Sequence, residues 1–108
     1  MNCIFCKIAN KEIPKEFIYE DEDIMVFPDI NPSAPVHILI VPKKHVPEMI
    51  AVDDPILFQK IFQVVQKMIK TTGLTGKPHR IGINGGGLQD IDHLHVHLIG
   101  QMSRKAEL

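Results

Sequence analysis

Apolar and polar residues alternate from His93 to Ile99, where three histidines are separated by single aliphatic residues. Because alternate residues of a β-strand point to the same face, this pattern predicts a strand with Leu94, Val96 and Leu98 on one side. The three histidines would then line the other side. We therefore expect one face of the strand to belong to the core and the other to carry chemistry.

Four more segments have the composition of strands. Residues 16–20 and 24–27 are rich in aromatic and β-branched residues and flank a polar turn, which predicts a hairpin that Pro28 ends. Residues 36–41 are almost wholly apolar, as in a central strand, although His37 lies near their start. A shorter segment follows at 81–84, with His79 as its solvated entry.

Two segments have the pattern of helices. Residues 53–55, Asp-Asp-Pro, combine an N-cap with a first-turn proline, and apolar residues then recur at helical spacing to Thr72, before a capping Gly73. A shorter apolar segment beside Cys3 runs to about Ala9. Together these elements predict an α+β fold: a five-stranded antiparallel sheet with one long helix and a short N-terminal helix.

The length and net charge of the chain limit the classes of protein to which it can belong. A chain of 108 residues suits a single domain, which we expect to span 1–108. A formal net charge of −1 offers no general attraction for a nucleic-acid backbone. No apolar run reaches membrane-spanning length, and no basic and apolar leader begins the sequence, so we expect a cytoplasmic protein without membrane partners.

The clustered histidines favour a functional site. Imidazole acts as a nucleophile, a proton carrier or a metal ligand near neutral pH, and same-face neighbours on a strand can share one site. The alternative is a solvent-facing run that binds metal adventitiously, like a purification tag. The interleaved aliphatic residues disfavour that alternative because they suit burial.

Other residues offer further chemistry. Cys3 and Cys6 have the spacing of a metal clamp or a redox couple, although two incidental cysteines would look the same. Asp29 opens a proline-rich loop just after a strand, where both binding and merely solvated carboxylates occur. His45 lies in a second loop. The glycine-rich loop at 85–90 could bring its backbone N–H groups close to a phosphate, or could be a plain flexible turn.

Taken together, these residues resemble the histidine triad (HIT) superfamily. The resemblance covers nearly the whole chain: Ile4-Phe5, residues 12–14, Asp29-Ile30-Asn31-Pro32, the block 35–45, Asn84 with its glycine-rich loop, and the His-φ-His-φ-His-φ-φ signature at 93–99. The chain is most similar to the Hint branch. That resemblance implies hydrolysis of nucleoside 5′-phosphoramidates or related purine nucleotide conjugates by a homodimeric enzyme.

The resemblance also implies roles for individual residues. His95 resembles the nucleophile that forms a nucleotidyl-histidine intermediate, and His93, His97 and His37 complete the candidate catalytic set. Asp29 matches the carboxylate that accepts the ribose hydroxyls. The other candidate nucleotide-binding residues are the apolar wall of Phe5, Ile8 and Phe27 and the phosphate side of Asn84, Gly87, Gln89 and Asp90.

Asp90 departs from the Hint pattern. Many members have Ser or Thr directly after the glutamine, whereas a carboxylate cannot donate a hydrogen bond to phosphate unless it is protonated. Repulsion between Asp90 and the phosphate is therefore expected to weaken assistance to the leaving group.

A structural zinc ion is the implied cofactor. The resemblance to bacterial HIT proteins and to hexose-phosphate uridylyltransferases assigns it to Cys3, Cys6, His45 and His93. Two thiolates and two imidazoles make a closed tetrahedral site, which holds structure and is not required for the chemistry itself. Such a site would tie the N-terminal segment to the sheet.

Two other functions fit the same residues. In the first, His93, His95 and His37 hold a catalytic zinc ion with an open position, as in a metallohydrolase. In the second, the chain is a non-enzymatic purine nucleotide sensor or scaffold.

Overall fold

The computed structural model describes residues 3–101, which form one antiparallel sheet and two α-helices. The sheet order is β1-β2-β3-β5-β4. Its strands are β1 (Tyr19–Glu20), β2 (Ile24–Pro28), β3 (Val36–Pro42), β4 (His79–Ile83) and β5 (Val96–Gly100). The helices are α1 (Ile4–Ala9) and α2 (Pro55–Thr71), and a 3₁₀ turn at Met49–Ala51 precedes α2. The predicted α+β fold is confirmed.

Helix α2 begins and ends where its capping residues stand. The side chain of Asp54 accepts a hydrogen bond from the amide of Ile56 (3.0 Å), and Pro55 occupies the first turn. At the other end Gly73 adopts a φ of 74°, and the amide of Leu74 donates to the carbonyl of Ile69 (2.9 Å). This is the glycine-dependent termination that the sequence predicted.

Helix α2 covers one face of the sheet. Its buried residues, among them Ile61 and Met68, pack against Leu94, Val96 and Leu98. The aliphatic residues between the histidines therefore do face the core, as predicted. This is the larger of the two apolar clusters, and it anchors β5 against α2.

Helix α1 packs against the opposite face of the sheet. Phe5 and Ile8 form a second apolar cluster with Phe27, Leu39 and other residues of β2 and β3. His37 precedes Leu39 by two residues in β3 and so points to this same face. The short helix α1 thus covers the face of the sheet that carries the histidines.

The histidine segment differs from the prediction in one respect. Strand β5 begins at Val96, so His93 and His95 precede it. The amide of Leu94 donates to the carbonyl of Val46 (2.6 Å), outside the sheet, and the amide of His93 donates to Ile91 (2.8 Å) in a local turn. These bonds take the backbone away from the ladder while the side chains keep their alternation.

Two strand boundaries also differ, and one short element was not predicted. The first strand is reduced from residues 16–20 to Tyr19–Glu20, β4 runs over His79–Ile83, and the 3₁₀ turn was not predicted. His79 is exposed at the start of β4, as expected. Within residues 3–101, the structure has no helix with the length and apolar character needed to cross a membrane.

Candidate active site and metal centre

Cys3, Cys6, His45 and His93 meet beneath helix α1. Their ligand atoms all lie within 4.8 Å of one another. Nδ1 of His93 is 3.3 Å from Sγ of Cys3, and Nδ1 of His45 is 3.3 Å from Sγ of Cys6. The two cysteines form no disulfide with each other. Four residues from three separate segments of the sequence thus converge as the resemblance implied.

The geometry of this cluster fits a tetrahedral metal ion such as zinc. With bonds of about 2.3 Å to sulfur and about 2.0 Å to nitrogen, tetrahedral ligands of the two kinds lie about 3.5 Å apart. The sulfur to nitrogen distances of 3.3 and 3.6 Å from the cysteines to His93 agree with that value. Nε2 of His93 donates to the carbonyl of Pro42 (2.7 Å), which leaves Nδ1 free to bind a cation.

Burial favours the uncharged forms of Cys6 and His93. Burial, followed by the hydrogen bond with Cys3, raises the pKa of Cys6 to about 11. Burial lowers the pKa of His93, so its ring stays neutral. A cation would have to displace the proton of Cys6, whereas the nitrogen of His93 is already unprotonated.

His95 lies beside this cluster and is turned away from it. Nδ1 of His95 is 2.7 Å from the carbonyl oxygen of His93, and a carbonyl only accepts, so Nδ1 carries the ring proton. In the neutral ring Nε2 is then bare. The ring of Phe5 stands edge-on to it, with centroids 5.3 Å apart, and only 6 % of His95 is exposed. This is the protonation state that a nucleophilic imidazole needs.

His37, His97 and Asp29 form a second cluster next to His95. Leu39 pairs directly with His97 across β3 and β5, so His37 lies one diagonal step away on the same face. Nε2 of His37 is 2.9 Å from Nδ1 of His97 and 3.3 Å from Oδ2 of Asp29. The other oxygen of Asp29 accepts from the amide of Asn31 (2.8 Å). Both carboxylate oxygens are thus engaged and oriented.

A largely apolar pocket opens in front of His95 and His97. The predicted wall residues Phe5, Ile8 and Phe27 all line it, and Asp29 lies on its rim. Sequence reasoning missed its other lining residues, which are Ile4, Lys15, Pro28, Ile30, Asn31, Leu39 and Ile91. The pocket therefore combines a largely apolar lining with polar side chains, among them His95 and His97.

The predicted phosphate-side residues do not all lie in the pocket wall. Asp90 lines the pocket, whereas Asn84, Gly87 and Gln89 do not belong to its wall. The amide of Gly87 donates to Oε1 of Gln89 (3.0 Å), and Nε2 of Gln89 donates to the carbonyl of Pro47 (3.3 Å). The loop is therefore braced by one bond within itself and by one bond to Pro47.

Lys15 had no signal as a pocket residue, because it stands in a polar stretch between predicted elements. Its Nζ lies 5.1 Å from the ring centroid of Phe27. Ser33 also had no signal in the sequence as a site residue. Its backbone amide donates to Nδ1 of His37 (3.0 Å). A backbone contact depends on the loop path and leaves no mark in residue type.

The ligand atoms of His93, His95 and His37 do not form a joint metal cluster within residues 3–101. Nδ1 of His93 faces the cysteines instead. The geometry therefore gives no support to a catalytic zinc held by these three histidines.

Comparison with known proteins agrees with these features. The family model described as scavenger mRNA decapping enzyme C-term binding matches residues 2–107. Protein HitA of Neisseria gonorrhoeae is 44 % identical over 102 residues, covering 92 % of this chain and 95 % of HitA.

Solved structures show the same likeness. A HIT family hydrolase from Legionella pneumophila has a TM-score of 0.87 at 40 % identity, covering 94 % of this chain and 95 % of its own. A histidine triad nucleotide-binding protein from Candida albicans has a TM-score of 0.83 at 33 % identity, covering 90 % of this chain and 73 % of its own.

Proposed function

Because the chain belongs to the HIT family, we propose that it hydrolyses nucleoside 5′-phosphoramidates or related purine nucleotide conjugates. The observation that carries the proposal is the hydrogen bond from Nδ1 of His95 to the carbonyl of His93, which leaves Nε2 bare in the pocket. The Legionella relative is named a hydrolase and the Candida relative a nucleotide-binding protein, which supports the same class of activity.

In the proposed reaction, the lone pair of His95 Nε2 attacks the α-phosphorus. The bond between phosphorus and the leaving-group nitrogen breaks, and that nitrogen leaves as an amine after taking a proton from solvent. The product is a nucleotidyl-histidine, whose positive ring is stabilised by the carbonyl of His93. Water then attacks the phosphorus as the bond to Nε2 of His95 breaks, which releases the nucleotide, restores the neutral ring and gives one proton to solvent.

The apolar part of the pocket would hold the base. Phe5, Ile8 and Phe27 offer ring and aliphatic surfaces, and Asp29 stands where a carboxylate can accept the ribose hydroxyls. Asn84, Gly87 and Gln89 would support the phosphate side from outside the pocket wall. Hydrogen bonds of Gly87 and Gln89 brace the loop that leads to His93.

Zinc, where bound, would be held by Cys3, Cys6, His45 and His93 and would supply structural stability. The ligand set is closed, so the metal has no open position for substrate. The residues that act on the nucleotide are His95 and its neighbours.

The decisive experiment uses intact-protein mass spectrometry after rapid mixing with adenosine 5′-phosphoramidate. We expect an adenylyl adduct and accumulating AMP in the wild type. The adduct should be absent in His95→Ala and present in the matched control His79→Ala, since His79 is exposed at the start of β4. Nucleotide binding without adduct or AMP would instead favour the sensor or scaffold.

The HIT resemblance also predicts a homodimer. Ile56 and Phe62 are exposed on helix α2, 58 % and 39 % respectively, and would suit partial burial against a second chain. Light scattering with size-exclusion chromatography tests this. A mass of one chain at micromolar concentration would contradict it.

A further inference from the structure

The backbone amide of Ser33 determines which nitrogen of His37 is protonated. The amide nitrogen lies 3.0 Å from Nδ1 of His37, and a backbone N–H can only donate. Nδ1 is therefore unprotonated. The Ser33 hydroxyl, 3.3 Å from the same nitrogen, is also able to donate and does not alter this conclusion. Since a neutral imidazole holds one proton, Nε2 of His37 carries it.

The Nε2–H group of His37 in turn determines which nitrogen of His97 is protonated. Nε2 of His37 is 2.9 Å from Nδ1 of His97, and two N–H groups facing each other at that distance would repel. Nδ1 of His97 must therefore accept, which places the proton of its neutral ring on Nε2. Oδ2 of Asp29 lies farther from the same N–H, at 3.3 Å, and shares it weakly.

Nε2 of His97 is buried and has no hydrogen-bond partner in the part of the chain that the structure describes. His97 also lines the pocket beside His95, with ring centroids 4.9 Å apart. A buried donor without a partner is costly, so its acceptor is expected to come with the ligand. A phosphate oxygen beside the attacking His95 is such an acceptor.

We propose that the backbone amide of Ser33 is a positioning group which, acting through His37, holds His97 as a neutral hydrogen-bond donor at Nε2. The inference rests on the proposed function, because it takes the acceptor to be a phosphate oxygen. His97 supplies a hydrogen bond and transfers no proton, since a neutral ring that lost its Nε2 proton would become an imidazolate. Burial, which lowers the pKa of His97, supports the neutral ring.

The same arrangement argues against a second metal ion. Asp29, His37 and His97 bring three potential ligand atoms within 4.8 Å of one another. A histidine that binds metal through Nε2 normally donates from Nδ1 to an acceptor. At His37 that nitrogen faces the Ser33 N–H, which is a donor. The cluster is therefore built for hydrogen bonding.

The primary test is long-range ¹H–¹⁵N correlation NMR of the nucleotide-free protein, which identifies the protonated nitrogen of each histidine. We expect protonated Nε2 in both His37 and His97, and protonated Nδ1 in His95. A protonated Nδ1 on His97 in the wild type would overturn the inference directly.

The variant test removes the amide hydrogen alone. Ser33→Pro deletes the N–H, whereas the matched control Ser33→Ala deletes only the hydroxyl. We expect Ser33→Ala to keep the wild-type tautomers and Ser33→Pro to show Nδ1-protonated His37 or His97. Activity of Ser33→Pro should fall roughly fivefold in kcat/KM, the factor that corresponds to one net hydrogen bond. Unchanged tautomers in a folded Ser33→Pro protein would also overturn the inference.

A second pair of variants covers the case in which Ser33→Pro does not fold. His37→Gln keeps an N–H donor near the position of Nε2, whereas His37→Leu does not. We expect His97 to remain protonated at Nε2 in His37→Gln and to populate the Nδ1 form in His37→Leu. Identical His97 spectra in the two variants would contradict the inference that His37 sets the tautomer of His97.

The tautomer measurements need no substrate. They therefore remain valid if phosphoramidates prove not to be substrates, which is a failure of the proposed function alone. If instead wild type forms the adenylyl adduct while His97 carries its proton on Nδ1, the proposed function stands and the role of Ser33 is refuted.

Discussion

Nε2 of His93 donates a hydrogen bond to the carbonyl of Pro42, at 2.7 Å, inside a site where His93 is fully buried. This bond fixes the ring so that Nδ1 points at Cys3 and Cys6. Proline offers a carbonyl and no N–H, so its backbone can serve only as an acceptor here. The end of β3 thus orients a ligand that lies fifty-one residues later in the chain.

From this geometry we predict one zinc ion per chain. Cys3→Ser should lose the metal and lower the free energy of unfolding by several kcal/mol, a part of the roughly 10–16 kcal/mol that structural zinc contributes in zinc-finger peptides. His79→Ala, which changes an exposed histidine outside the cluster, should keep both. Elemental analysis and chemical denaturation measure the two effects. Two bound ions per chain, or a Cys3→Ser protein as stable as wild type, would contradict this prediction.

Gly100 is predicted to tolerate no side chain. A Cβ at this position would lie 2.6 Å from Cδ1 of Leu74 and closer still to Cδ2, while Leu74 itself is 1 % exposed. We expect Gly100→Ala to destabilise the fold by about 1–3 kcal/mol through overpacking. Gly82→Ala is the matched control, because its Cβ would meet no atom within 4 Å. Equal denaturation midpoints for the two variants would show that Leu74 moves aside without cost.

Stability is predicted to fall at mildly acidic pH because of His97. Burial, followed by the charges of His95 and His37, lowers the pKa of His97 below the usual 6.5. The unfolded chain therefore binds this proton at a higher pH than the folded chain. The contribution is fully present above pH 6.5 and is lost as the pH falls through the folded pKa.

The variant His97→Gln isolates this contribution, since glutamine does not titrate. We expect the free energy of unfolding of the wild type to decrease more steeply between about pH 7 and pH 5 than that of His97→Gln. Urea denaturation across this interval measures both slopes. Parallel pH profiles would mean that His97 has the same pKa in both states.

Asp90 is predicted to weaken the binding of anionic substrates. It lines the pocket with His95 and His97, and its exposed carboxylate adds negative charge near the phosphate side. We expect Asp90→Asn to lower KM for a nucleoside phosphoramidate by about two- to fivefold at low ionic strength, with less change at high salt. Asp90→Ser, which adds a hydroxyl donor, should also raise kcat. An increase in KM for both variants would instead assign Asp90 a favourable role.

The elements that could be predicted are those that depend on local pattern. Asp54, Pro55 and Gly73 mark the ends of the long helix because capping requires those residue types. Alternation placed Leu94 and His95 on opposite faces even though β5 begins only at Val96. The periodicity of side chains survives the loss of the hydrogen-bonded ladder.

Other features depend on contacts that residue type does not record. The short β5 follows from the amide of Leu94 bonding Val46, and the tautomer of His37 follows from the amide of Ser33. Both are backbone groups that every residue except proline possesses. Lys15 reaches the pocket because a chain reversal after α1 returns it to the ring of Phe27. Such placements require coordinates.

Helix α1 has a further consequence. It has six residues, too few to be stable alone, and it carries Phe5 and Ile8 of the proposed nucleotide pocket together with Cys6 of the candidate metal centre. Binding of either ligand would order helix α1, so the second ligand would bind with a smaller loss of conformational entropy. Linkage then requires reciprocity: a metal that orders α1 would tighten nucleotide binding, and the nucleotide would raise the affinity for the metal by the same factor. The apparent affinity for the proposed nucleotide would consequently depend on the metal content of the preparation in which it is measured.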